Sequence, residues 1–329
     1  LRFATVEEPG GAVRCGVVEG DLLHRMPPGT TVLGLVRDGV LHQAGAAALS
    51  TRDVVPLAGV RLLPPLQPPT VRDFVAFEEH VEGVRRGVDG ATGVVAEWYE
   101  APAFYFTNPY AVIGAHDEVR IPPGCEELDF ELEVAAVVGR DGTDLGPGEV
   151  HIVGYTVLND WSARDLQRRE MRVNLGPAKG KDFATTLGPC LVTADELEPH
   201  RDADGFLQLE MRVAVNGQQI GHDLLSNMSW PFEELVAHAS RGTWVRAGDV
   251  LGSGTCGNGG CLAELWGLRG ERTPPPLQPG DVVEMTVEGL GAIRNTVVPG
   301  PQVPPVGAAR SRPRNRERPL SDVDHRRRV

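Results

Sequence analysis

The chain carries three acids at alternate positions, Asp129-Phe130-Glu131-Leu132-Glu133, leading into the apolar run Val134-Ala135-Ala136-Val137-Val138. On a strand, residues two apart point the same way with Cα atoms about 7 Å apart, whereas on a helix the same spacing splays them. Glu131 and Glu133 therefore converge, with Asp129 beside them. Gathered carboxylates raise one another's pKa unless a cation offsets the repulsion. An all-oxygen set suits a hard divalent ion, Mg²⁺, Mn²⁺ or Ca²⁺. Taken alone, a Glu-x-Glu pair is more often an edge strand showing solvated acids, so other residues must decide.

A fourth acid, Asp160, ends the apolar run Gly154-Tyr155-Thr156-Val157-Leu158-Asn159, and a helix is expected to start there with Asp160 or Ser162 as its cap. Arg164 and Gln167, three apart, would share a face of it. An acid, a fixed cation and an amide would then project into one place; a capped surface helix is the plainer alternative.

Basic residues number 32, of which only Lys179 and Lys181 are lysines. A compact ammonium cannot be replaced by a planar guanidinium at a site built for it, so one of these neighbours is a candidate for chemistry. Cys256 and Cys261 flank a glycine-rich turn, and with no histidine or helix start evident nearby they read as small packing residues and not as nucleophiles.

The elements that must position these residues are mostly short strands. Forty glycines and 27 prolines punctuate the apolar runs, and 41% of the 329 residues are hydrophobic, enough for a real core. Residues 1–65 read as a small β-rich N-terminal domain, with two strands and a tight turn at Gly16–Leu23. The proline-rich stretch Leu63–Pro69 marks its boundary. Val71 to about Arg86 reads as the first helix of a catalytic domain spanning 66–300, and strands prevail from Leu128 onward. Residues 301–329 are a basic, proline- and arginine-rich tail, expected to be disordered.

A net charge of −13 argues against a nucleic-acid binder. The five cysteines contain no C-x-x-C pair, which fits reduced thiols in a cytoplasmic protein better than a disulfide framework or a zinc site. No apolar run approaches the length of a membrane span and no signal-peptide pattern is present.

The run Asn159-Asp160-Trp161-Ser162-Ala163-Arg164-Asp165-Leu166-Gln167, with Glu131-Leu132-Glu133 before it and Gly180-Lys181-Asp182-Phe183-Ala184-Thr185-Thr186 after it, resembles the fumarylacetoacetate hydrolase family. The resemblance extends from about Arg72 to about Val298. It implies a mixed α/β, strand-rich fold with a mixed-sheet β-roll, usually a homodimer. It further implies that Glu131, Glu133, Asp160 and Asp73 hold a divalent metal, Mg²⁺ foremost. Lys181, Arg164 and Gln167 match residues that stabilise substrate oxyanions, His80 and Glu264 the pair that activates water, and Tyr105, Thr185 and Thr255 substrate contacts. Val75 departs from a tyrosine common in related sequences, so substrate identity does not carry over. Arg85 and Arg86 either reach a substrate carboxylate or, more simply, face solvent. The implied activity is hydrolysis of a C–C bond in an acylpyruvate or related 1,3-diketo acid. The same centre would also serve decarboxylation, isomerisation or hydration of a 2-oxo acid, and a catalytically decayed metal-binding homologue is a third reading.

Overall fold

A computed structural model describes residues 1–89 and 92–312. Its frame is a twelve-stranded mixed sheet facing a five-stranded one. The strand Leu132–Val138 is buried along its whole length and lies between Ile152–Asp160 and Val250–Gly252, antiparallel to both. Period-2 alternation divides its side chains between two cores. Leu132, Val134, Ala136 and Val138 join Met211, Val213, Met285 and Ile293 of the smaller sheet. Ala135 and Val137 join Phe3, Val17, Val32 and Leu41 from the N-terminal segment. A strand packed on both faces reads as a continuous apolar run, which accounts for the pattern after Glu133.

The N-terminal segment forms the expected paired strands, Val13–Glu19 and Leu22–Arg25, turning at Gly20 with φ +57°. It also contains two helices, Val32–Arg37 and Leu41–Leu49. Its strand Arg2–Glu7 pairs with Thr185–Thr193, so the main sheet runs unbroken from this segment into the rest of the chain.

Two local expectations are corrected. Val71–Phe74 is a strand and not the start of a helix: it pairs with Val250–Gly252 on one side and Phe104–Thr107 on the other, and the helix begins at Glu78. Pairing on both edges outweighs local helical character. Likewise, neither Asp160 nor Ser162 caps the following helix. Ser162–Ala163 pairs with Leu128–Asp129, and the helix Arg164–Met171 starts after Ala163 without a side-chain cap. Most of the basic tail, 313–329, lies outside the described residues; positions 301–312 are exposed and without regular structure.

Candidate active site

The sheet register brings four acids together. Glu131 and Glu133 sit at the start of Leu132–Val138 and Asp160 at the end of its antiparallel neighbour, where Leu132 faces Asn159. Asp73 enters from the parallel strand beside Val250–Gly252, in register with Gly252. Asp73, Glu131, Glu133 and Asp160 are all buried and each offers an oxygen within 4.8 Å of the others. Gly252 makes this convergence possible, because a Cβ there would lie 2.3 Å from Asp73 Oδ1 and 2.8 Å from Glu133 Oε2.

The donor set fits a hard divalent cation. Asp73 Oδ1, Glu133 Oε2 and Asp160 Oδ1 are buried without a hydrogen-bond partner, and such acceptors persist in a folded interior only where something compensates them. Burial first, and Asp160 second, push the Asp73 carboxyl up to about 8. Burial and then Asp73 raise Glu133 as well. Asp160 is raised by burial and by Glu131, more than Lys181 offsets. Burial also acts upward on Glu131, but Lys181, Arg164 and His80 together hold it well below the usual carboxylate range.

Lys181 enters this cluster and Lys179 does not. The Lys181 ammonium, 3% exposed, lies 2.5 Å from Glu131 Oε2 and 2.6 Å from Asp160 Oδ2. Burial alone would lower its pKa, but Asp160 and Glu131 reverse the direction and raise it. The Lys179 side chain is 73% exposed and pairs locally with Asp182. Their loop is anchored by Glu170, which accepts the backbone N–H groups of Ala178, Lys179 and Gly180. Gly180 passes so close to Gln167 that a Cβ there would meet it at 2.8 Å.

Arg164 pairs with Asp129 at 2.8 Å and Glu131 at 2.7 Å, and donates to Gln167 at 3.1 Å. Asp129 is therefore not a member of the carboxylate cluster, despite its spacing. Beyond Arg164 it accepts the N–H groups of Leu262 and Ala263 and so satisfies the first turn of the helix Leu262–Arg269. Tyr105 donates its hydroxyl to Asp160, and burial, with Asp160 next, raises its pKa and keeps the phenol neutral. Thr255 donates to Glu133 at 3.4 Å, and Thr185 pairs across from Asp160 with its buried hydroxyl unpartnered.

His80 projects from the helix Glu78–Asp89 and Glu264 from Leu262–Arg269. These helices touch at Gly83, where a Cβ would lie 2.5 Å from Glu264 Cγ. His80 Nδ1 stands 3.9 Å from Glu264 Oε2, both side chains buried. A second neighbour corrects the reading of Cys261: its sulfur is 3.8 Å from His80 Nδ1 and caps the helix by accepting from Glu264 N. Burial raises both Cys256 and Cys261 thiols well above their ordinary value. Contacts closed by the fold between positions 80 and 261 leave no trace in local spacing. Outward from Arg164 and Gln167 opens a cavity of about 740 Å³, which Arg85 and Arg86 line together with Arg168, Arg172, Trp266 and Arg272.

Four converging buried acids with a lysine among them, on a mixed-sheet frame, define a metal-binding enzyme. The chain belongs to the fumarylacetoacetate hydrolase family: residues 70–298 match the model described as fumarylacetoacetate (FAA) hydrolase C-terminal. It is 35% identical over 192 residues to the mitochondrial oxaloacetate tautomerase fahd2 of Xenopus laevis, covering 57% of this chain and 55% of that protein. It thus spans about half the length of that relative. Among solved structures it is similar to a 5-carboxymethyl-2-hydroxymuconate delta-isomerase from Mycobacterium smegmatis, at 27% identity and TM-score 0.65, over 91% of this chain and 100% of that one. It is also similar to a fumarylacetoacetate hydrolase from Exiguobacterium antarcticum, at 25% identity and TM-score 0.69, with the same coverage.

Proposed function

We propose that this chain is a divalent-metal-dependent hydrolase that cleaves a C–C bond of an acylpyruvate or related 1,3-diketo acid. The observation that carries the reading is the placement of His80. Its ring lies within 4.8 Å of a Glu131 oxygen, with Glu264 behind it at 3.9 Å, so a base and its orienting carboxylate face the acidic centre.

A divalent ion held by Asp73, Glu131, Glu133 and Asp160, with Mg²⁺ the first choice and Mn²⁺ or Ca²⁺ alternatives, would supply Lewis-acid polarisation of adjacent oxo and carboxylate oxygens. Lys181, Arg164 and Gln167 present preorganised donors where negative charge grows. Tyr105, Thr185 and Thr255 fix carboxylate and substrate oxygens around them. His80, turned by Glu264, takes the proton of a water that attacks the distal carbonyl. The C–C electrons pass to the carbon beside the 2-oxo group, which is then protonated, leaving a 2-oxo acid and a carboxylic acid.

A second reading keeps the centre and isomerises, decarboxylates or hydrates a 2-oxo acid; the 35% identity to an oxaloacetate tautomerase favours it. The test is a panel of acylpyruvates, oxaloacetate and unsaturated 2-oxo acids with Mg²⁺ and Mn²⁺, following enol absorbance and identifying products, with His80→Ala alongside. Hydrolysis requires that acylpyruvates turn over and that His80→Ala lowers the rate by about 10²–10⁴-fold. Undiminished turnover in that variant would remove the water-activating pair and leave the second reading. We further propose a homodimer, as the family resemblance implies, and a cytoplasmic location, with which five free cysteines agree. Among the described residues no helix is long and apolar enough to cross a membrane.

A further inference from the structure

The oxygen-rich centre adjoins a second, chemically different set of donors. His80, Cys261 and Glu131 are all buried and bring a nitrogen, a sulfur and a carboxylate oxygen within 4.8 Å of one another. His80 Nδ1 and Cys261 Sγ are 3.8 Å apart. A tetrahedral zinc ion with ordinary bonds to nitrogen and sulfur separates those two atoms by about 3.6 Å, so the pair stands close to a ligand edge without an ion. Glu264 Oε2 is buried with no hydrogen-bond partner and lies 3.9 Å from the same nitrogen. It flanks His80 but is not among the three grouped donors, where Glu131 supplies the carboxylate.

Ligand softness separates the two sets. Four carboxylates select a hard ion, while thiolate and imidazole select zinc-like ions. We propose that the pocket carries a second metal site, for a soft divalent ion such as Zn²⁺ or Cd²⁺, formed by Cys261 and His80 with Glu131 completing it. Binding displaces the Cys261 thiol proton to solvent and uses a neutral histidine nitrogen. Glu131 is already engaged by Arg164 at 2.7 Å and Lys181 at 2.5 Å, so the sulfur and nitrogen carry most of the affinity. An ion seated there occupies His80 and withdraws it from water activation. The inhibitory consequence rests on the role given to His80 above; the binding does not.

The test titrates the full chain, loaded with Mg²⁺, with Cd²⁺, and follows both the ultraviolet thiolate-to-cadmium band and turnover. Cys261→Ser and Cys261→Ala are compared; serine is a good helix cap, so the first variant preserves the start of Leu262–Arg269. The expected result is one thiolate-bound equivalent and at least tenfold inhibition in the wild type. Both variants should lose that band and keep their turnover at the same Cd²⁺. Background absorbance from Cys125, the one cysteine that is only partly buried, is what the variants should retain. An unchanged band in the variants overturns the proposal; a Cys261-dependent band with equal inhibition in wild type and variants supports the site and assigns the inhibition to displacement of the hard ion. A Cys261-dependent band without inhibition supports the site and sinks the role of His80 in turnover, so the two failures are distinguishable.

Discussion

Lys181 Nζ lies 2.6 Å from Asp160 Oδ2, inside a group of four buried carboxylates and 21 residues downstream of its partner. The ammonium offsets the charge of Asp160 and Glu131, the two acids it touches. Among the described residues it is the one lysine of that centre, the other lysine being on the surface. A guanidinium is broader than an ammonium and would meet Asp160 and Glu131 in a different geometry. Lys181→Arg should lower kcat by about 10²–10³-fold, the scale seen when a preorganised donor is removed, while Lys179→Arg should leave it unchanged. Steady-state kinetics on both variants decides this.

Gly252 lets Asp73 and Glu133 approach. A methyl at that position has no room, standing 2.3 Å from Asp73 Oδ1. Gly252→Ala should cost about 1–3 kcal/mol of stability and weaken Mg²⁺ binding by titration calorimetry. Retention of full affinity would mean that the acids do not act as one ligand set.

Protons and metal compete for the centre. With Asp73 pushed up to about 8 and Glu133 raised as well, the metal-free native state holds protons that the unfolded chain releases near pH 4. Its stability should therefore fall as pH rises from about 4 to 8, because the native state binds more protons across that window. Mg²⁺ affinity should rise over the same interval, with protons released on binding. Calorimetry in buffers of different ionisation enthalpy measures that release. At a hundredfold excess over Kd, the ion should restore about 2.7 kcal/mol, read as a rise in Tm.

Asp129 ties Arg164 to the start of the Leu262–Arg269 helix through bonds of 2.8 Å to Arg164, 2.8 Å to Leu262 N and 3.0 Å to Ala263 N. Removing one partner of a buried pair leaves the other uncompensated. Asp129→Ala should cost about 3–5 kcal/mol in denaturant unfolding, with Mg²⁺ stoichiometry retained in the folded fraction. Loss of the ion at full stability would make Asp129 a ligand after all.

Much of the centre was legible in local pattern. Alternation placed Glu131 and Glu133 on one side of a strand, and the scarcity of lysine pointed at the loop holding Lys181. Asp129 shared that spacing, yet its carboxylate serves a helix start more than a hundred residues away. Val71–Phe74 read as helix because its strand identity comes from partners at Phe104–Thr107 and Val250–Gly252. The contact of Cys261 with His80 had no local signal, since it comes from the packing of helices far apart in sequence, which approach closely where Gly83 admits Glu264.

The sequence by itself determined the chemistry available: acids at strand spacing, a lysine reserved for one loop, and motifs in the order of one enzyme family. Side-chain type and period-2 geometry are properties of neighbouring residues, so they survive without the fold. Tertiary structure alone decided which acids converge, that Asp160 meets Lys181 and Tyr105 and caps no helix, and that a thiol stands beside His80. Those outcomes depend on strand register and helix contact between distant segments, which no local spacing encodes.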